Sequence, residues 1–152
     1  MPTDFSECAA KAAEEALALV RHFGGRVLFF HTKELLSTSG YNSDPLFAAP
    51  PSMPLFNLEE IEAAFKDEWQ SFLAKPPLHG NINWEQHSVE GRPISAIVHA
   101  AEQHLVDLIV MGAHGRTGLS QMLLGSVAEG VIRQAPCSVL TVRPAGFQFD
   151  LP

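Results

Sequence analysis

Apolar residues recur at three- and four-residue intervals through Ala9, Ala12, Ala13, Ala16, Leu17, Val20 and Phe23, which predicts a helix over residues 6–23. Ser6 is a suitable cap for its start, Glu7 suits the positive end of its dipole, and Gly24-Gly25 suits its stop. The short run Arg26-Val27-Leu28-Phe29-Phe30-His31 reads as a buried strand. A second helical stripe, Ile61, Phe65, Trp69 and Phe72, lies within residues 58–73 and stops before Pro76-Pro77. Residues 81–89 alternate weakly and are polar, which suits a strand at a sheet edge. After the turn Gly91-Arg92-Pro93, the stripe Ile97, Val98, Ala101 and Leu105 marks a third helix from Ile94 to His104. Leu108-Ile109-Val110-Met111 is the most continuous apolar strand. A glycine-rich segment follows it, then a helix over residues 126–134 and a final strand over residues 137–143.

Helices alternating with strands imply an α/β fold with a parallel sheet covered on both faces. The chain, 152 residues long, fits one domain spanning residues 1–152. One segment breaks the rhythm. Residues 36–57, including Asp44-Pro45 and Pro50-Pro51-Ser52-Met53-Pro54, are rich in turn formers and read as one long loop, mobile or a lid.

Composition narrows the function. The apolar share of 46% and the charged share of 18% describe a globular chain. No apolar run reaches the roughly 20 residues of a membrane span, and Met1-Pro2-Thr3-Asp4 does not open a signal peptide, so a cytoplasmic protein is expected. A net charge of −7 without basic clusters argues against nucleic acid. Two cysteines, Cys8 and Cys137, and seven histidines show no metal-ligand spacing, so no metal site is expected and the cysteines read as small apolar residues.

The chemistry sits after the best strand. Gly112 and Gly115 can bring the backbone close to a ligand or adopt positive φ. Ser126-Val127-Ala128-Glu129 has the form of a capping box, and a helix start there offers N–H groups to an anion. The carboxyl end of a parallel strand is where such sheets bind ligands. G-x-x-x-x-G-K-[ST] and G-x-G-x-x-G are both absent, which argues against a P-loop kinase and an ordinary dinucleotide-binding dehydrogenase.

The spacing that is present, G-x2-G-x9-G-[ST] through Gly112, Gly115, Gly125 and Ser126, resembles the nucleotide motif of the ATP-binding universal stress proteins. Pro2-Thr3-Asp4-Phe5-Ser6, Phe30-His31-Thr32, Val89-Glu90-Gly91-Arg92-Pro93, Asp107 to Gly112 and Ala135 to Leu140 are similar to the same family; Thr32 stands where Val is usual. The resemblance implies a Rossmann-like, doubly wound parallel sheet of order 3-2-1-4-5. It implies that ATP, AMP or ADP is bound, with Mg as a possible companion. Pro2, Thr3 and Asp4 would meet the ribose or adenine side, the backbone near Thr32 and Val89 would flank the adenine, and Met111, Gly112, Gly115, Arg116, Gly125, Ser126 and Val127 would hold ribose and phosphates. No catalytic residue is assigned. The function implied is a nucleotide-binding regulator of the stress response; the alternatives are a slow ATP hydrolase and an interaction dimer that has lost its nucleotide.

Two further expectations concern the sheet. The final strand, Val139-Leu140-Thr141-Val142, carries no charge to blunt an edge, and the resemblance implies that it pairs with its copy in a homodimer. In the family an apolar strand precedes the Pro-Thr-Asp loop at the centre of the sheet, whereas here only Met1 precedes Pro2. The flanking strands would close up, another segment or chain would fill the gap, or the sequence given lacks residues that the native product has.

Overall fold

A computed structural model describes residues 1–33, 58–75, 82–115 and 124–143. The elements follow the expected alternation: α1 (Glu7–Phe23), β1 (Arg26–Lys33), α2 (Leu58–Ala74), β2 (Asn83–Glu90), α3 (Pro93–Gln103), β3 (Leu108–Gly112), α4 (Ser126–Gln134) and β4 (Ser138–Val142). The long loop expected at residues 36–57 lies outside the described residues.

Local chemistry explains the boundaries. Ser6 caps α1, its Oγ accepting from the Ala9 N–H at 3.2 Å. Gly24 and Gly25 end that helix with φ of 78° and 109°, left-handed positions that favour glycine. Pro93 opens α3, where its missing N–H costs nothing.

The pleat distributes side chains to two cores. Val27 and Phe29 of β1, with Val110 of β3, join Leu17 of α1 and Trp69 and Phe72 of α2 on one face. Phe30, Ile109 and Met111 join Ile97 of α3 and Ala128 and Val131 of α4 on the other. The result is three layers, helices over both faces of parallel strands. Edge character at β2 is as expected: among the described residues it pairs only with β1, from Arg26↔Asn83 to Lys33↔Glu90.

The sheet is not continuous. β1 pairs with β2 and β3 with β4, but β1 and β3 are not neighbours, so the strands do not close up. Met1 to Thr3 run beside β1 instead. The Met1 amino group donates to the Leu28 carbonyl at 2.7 Å, the Phe30 N–H to the Met1 carbonyl at 2.9 Å, and the Thr3 N–H to the Phe30 carbonyl at 2.8 Å. These residues hold one end of the first-strand position. The other end is a cavity of about 480 Å³ lined by Met1, Val20, Phe23, Leu28, Leu105 and Leu108 among others. Phe23 and Leu105, expected on buried stripes, are 78% and 86% exposed and line this cavity, which no described residue fills. Ile61 also departs from its expected buried stripe and is 45% exposed.

Candidate functional site

A cavity of about 390 Å³ opens at the carboxyl ends of β1 and β3, a size typical of small-molecule sites, about 300–1,000 Å³. Pro2, Thr3, Asp4, Thr32, Met111, Gly112, Gly115, Gly125, Ser126 and Val127 all line it. Val89 does not: it pairs with Thr32 in the β1–β2 ladder and is 38% exposed one strand further out. Arg116 lies outside the described residues. Phe30, Pro93, Ile97 and His114 complete much of the wall. The sequence gives neither Pro93, the end of the family-like Gly91-Arg92-Pro93 turn, nor Ile97, an apolar-stripe residue of α3, a place at the site; the fold sets both on the cavity wall.

The glycines act first on the protein's own packing. None of Gly112, Gly115 and Gly125 is among the positive-φ residues, so of the two roles expected for Gly112 and Gly115, close approach or positive φ, the second is not taken. What each provides is room. A Cβ on Gly112 would stand 3.0 Å from the Cys8 Sγ and 3.2 Å from the Ala9 nitrogen, so its absence lets the start of α1 settle on the end of β3. A Cβ on Gly115 would stand 2.7 Å from the Asp4 Oδ2. A Cβ on Gly125 would stand 3.1 Å from the Ala113 carbonyl oxygen, which accepts the Gly125 N–H at 2.7 Å. Three close approaches therefore bring the Asp4 loop, the end of β3 and the start of α4 around one space.

Asp4 is tied to the start of α1. Its Oδ1 accepts from the Ser6 N–H at 3.1 Å and the Ser6 hydroxyl at 2.6 Å. It is Ser6, not Asp4, that caps α1. Oδ2 is the oxygen beside Gly115, on the cavity side. The next residue, Phe5, has φ of 65°, a left-handed conformation that costs a non-glycine residue about 1–3 kcal/mol and persists only where its surroundings enforce it.

The start of α4 also differs from expectation. Gly125, not Ser126, is the N-cap, and no side chain caps the helix. Ser126 is the first helical residue, so the predicted capping box with Glu129 does not form. The physical reason is the Gly125–Ala113 contact, which positions the chain one residue earlier than the Ser-x-x-Glu pattern does. The first-turn N–H groups, which have no intrahelical partner, and their partial positive charge then serve the cavity lined by Ser126, Val127 and Ala128.

Neither cysteine is prepared as a nucleophile. The buried Cys8 thiol donates to the Val142 carbonyl at 3.2 Å, and desolvation pushes the Cys137 thiol above its ordinary pKa. Among the described residues, no three His, Cys, Asp or Glu side chains gather to hold a metal ion, and no helix is long and apolar enough to cross a membrane.

A three-layer parallel α/β domain with an uncapped helix start facing a strand-end cavity belongs to the class of Rossmann-like folds. The chain belongs to the universal stress protein family, whose model matches residues 1–143. It is 33% identical over 146 residues to universal stress protein MJ0531 of Methanocaldococcus jannaschii, covering 94% of this chain and 79% of that one. Its fold superposes on the solved structure of protein MJ0577 with a TM-score of 0.67 at 28% identity, covering 95% and 94% of the two chains. It also superposes on a universal stress protein solved in complex with cAMP, with a TM-score of 0.60 at 22% identity, covering 94% and 93%.

Proposed function

We propose that this universal stress protein binds an adenine nucleotide, ATP foremost, in the strand-end cavity and uses it to regulate its contacts with partners in the stress response. The observation that carries this reading is the convergence on one cavity of the Asp4 carboxylate, the bare glycine backbone and the uncapped start of α4. Asp4 has an oxygen placed to accept from ribose hydroxyls. The α4 start supplies N–H donors and partial positive charge for phosphates, which is how a protein of net charge −7 can bind an anion. Phe30, Ile97 and Met111 offer an apolar wall to a base. A Mg²⁺ ion would come held chiefly by the phosphates, with Asp4 the carboxylate among the described lining residues. The protein solved with cAMP shows that this fold accommodates an adenine nucleotide in a relative. The test is to denature the purified protein, analyse the supernatant by nucleotide chromatography, and titrate the refolded, emptied protein with ATP, ADP and AMP in a calorimeter. Copurified adenine nucleotide and saturable heats are expected. An empty supernatant together with no heat from any of the three would refute the reading.

The same proposal includes a homodimer through β4. Among the described residues β4 pairs with β3 alone, in the register Leu108↔Ser138 to Gly112↔Val142. The Ala113 N–H donates to the Val142 carbonyl at 2.7 Å, so Val142 turns its backbone groups toward β3. Strand alternation turns those of Thr141 toward the open edge. Thr141→Pro then removes an outward donor while leaving the β3 ladder its bonds. The expected result is a monomer by light scattering at concentrations where the parent protein is a dimer. An unchanged dimer mass would place the interface elsewhere.

A further inference from the structure

We infer that His31 is a positioning residue for the nucleotide site, gripping the Thr3–Asp4 peptide from the opposite face of the sheet; the inference rests on the reading just proposed. The His31 Nδ1 lies 2.7 Å from the Thr3 carbonyl oxygen. A carbonyl only accepts, so Nδ1 carries the proton and donates. His31 itself does not line the cavity; its chain neighbours Phe30 and Thr32 do. In a pleated strand His31 therefore points away from the cavity, toward α2.

The ring is placed by its neighbours. It stacks on Phe5 with centroids 4.4 Å apart and planes at 22°. Phe65 and Trp69 of α2 close around the pair, the latter with its ring 5.0 Å from that of Phe5. Trp69 is in turn fixed by donating its indole N–H to the Ser88 Oγ at 3.0 Å. This aromatic box is what enforces the left-handed φ of Phe5.

The consequence for the site follows from peptide planarity. A trans peptide sets its C=O and N–H antiparallel. With the Thr3 carbonyl drawn to His31, the Asp4 N–H is turned toward the cavity face, and the Asp4 carboxylate follows with Oδ2 beside Gly115. His31 touches no ligand. It sets the orientation of the peptide that presents Asp4.

The test compares His31→Leu, which removes the donor, with His31→Asn, whose side-chain NH₂ can stand near the position of Nδ1. Both are checked for folding by thermal melts. For folded proteins, ATP affinity by calorimetry is expected to fall about tenfold in His31→Leu and to be largely retained in His31→Asn. A role in folding alone would lower both melting temperatures and leave both affinities alone. Equal affinity of His31→Leu and the parent, or equal loss in both variants, would overturn the inference. Failure of the parent protein to bind ATP would count against the function itself. The positioning role is then read in the ligand-free protein by ¹⁵N NMR. There the Nδ1–H tautomer of His31 is expected, with shifts of the Asp4 and Gly115 amides in His31→Leu. An Nε2–H tautomer, or unmoved amides, would overturn it regardless of ligand.

Discussion

Gly125→Val is expected to abolish ATP binding while leaving the protein folded. The backbone at 125 has φ −73° and ψ 152°, an extended conformation that valine adopts readily, so no backbone strain is introduced. The damage is steric and local. A Cβ alone would stand 3.1 Å from the Ala113 carbonyl oxygen and 3.5 Å from the His114 Cα, and valine adds two methyl groups beyond it. The end of β3 and the start of α4 must move apart, which breaks the Gly125–Ala113 hydrogen bond and pulls the helix N–H groups away from the phosphate position. Gly125 belongs to neither hydrophobic core, so global stability changes little. The loss should reach about 100-fold or more, since several charge-assisted hydrogen bonds go together. Ser126→Ala removes one hydroxyl and leaves the backbone in place, so a smaller loss of about tenfold is expected. Calorimetric titration of both variants checks the order. A folded Gly125→Val protein with the parent's affinity would show that phosphate does not sit at this helix start.

Periodicity made most of the fold legible. The stripes of α1, α2 and α3 and the apolar runs of β1 and β3 each report a buried face, and the boundaries of α1 follow from Ser6 and Gly24, residues with strong local preferences. What periodicity could not report is context. Phe23 and Leu105 are apolar at the right spacing, yet they are exposed because burial depends on what lies opposite, and opposite them lies the slot between β1 and β3. The site was legible through its spacing motif, but the meaning of that motif was only partly so. Glycine at 112, 115 and 125 reads from the sequence as room for a ligand. The structure shows each one making room first for Cys8, Asp4 or Ala113, residues that are not its neighbours along the chain. Val89 was placed at the site from strand-end wording alone. The register puts it beside Thr32 but one strand too far from β3 to reach the cavity. His31 stands in the family-like run Phe30-His31-Thr32, but that run gives its ring no role; only the fold brings the ring to the Thr3 carbonyl.

In a protein that starts at Met1, the largest effect on stability is expected at the amino terminus. The Met1 ammonium is buried beside β1, and desolvation lowers its pKa from 8.0 to about 5. Between these values the unfolded chain binds a proton that the folded chain does not. Stability is therefore full above pH 8, falls as the pH drops toward 5, and is flat below that as far as this group is concerned. The shift corresponds to on the order of 4 kcal/mol across the window. Carboxylates and histidines titrate too, so the measurement is a difference. Urea melts at about pH 5 and about pH 8 would compare the protein with a variant carrying an engineered extension of roughly four apolar residues ahead of Met1. The extension turns the ammonium into an amide that can still donate to the Leu28 carbonyl, and it offers a strand to the slot lined by Phe23, Leu28, Leu105 and Leu108. The extended protein should be more stable at both pH values, because apolar surface is covered and strand edges are paired. Its advantage should be larger at the lower pH, by the amount the buried ammonium costs there. An advantage of equal size at both values would mean that the terminal amine leaves the slot and takes its proton in solvent. No advantage at either would mean that the slot does not accept a strand.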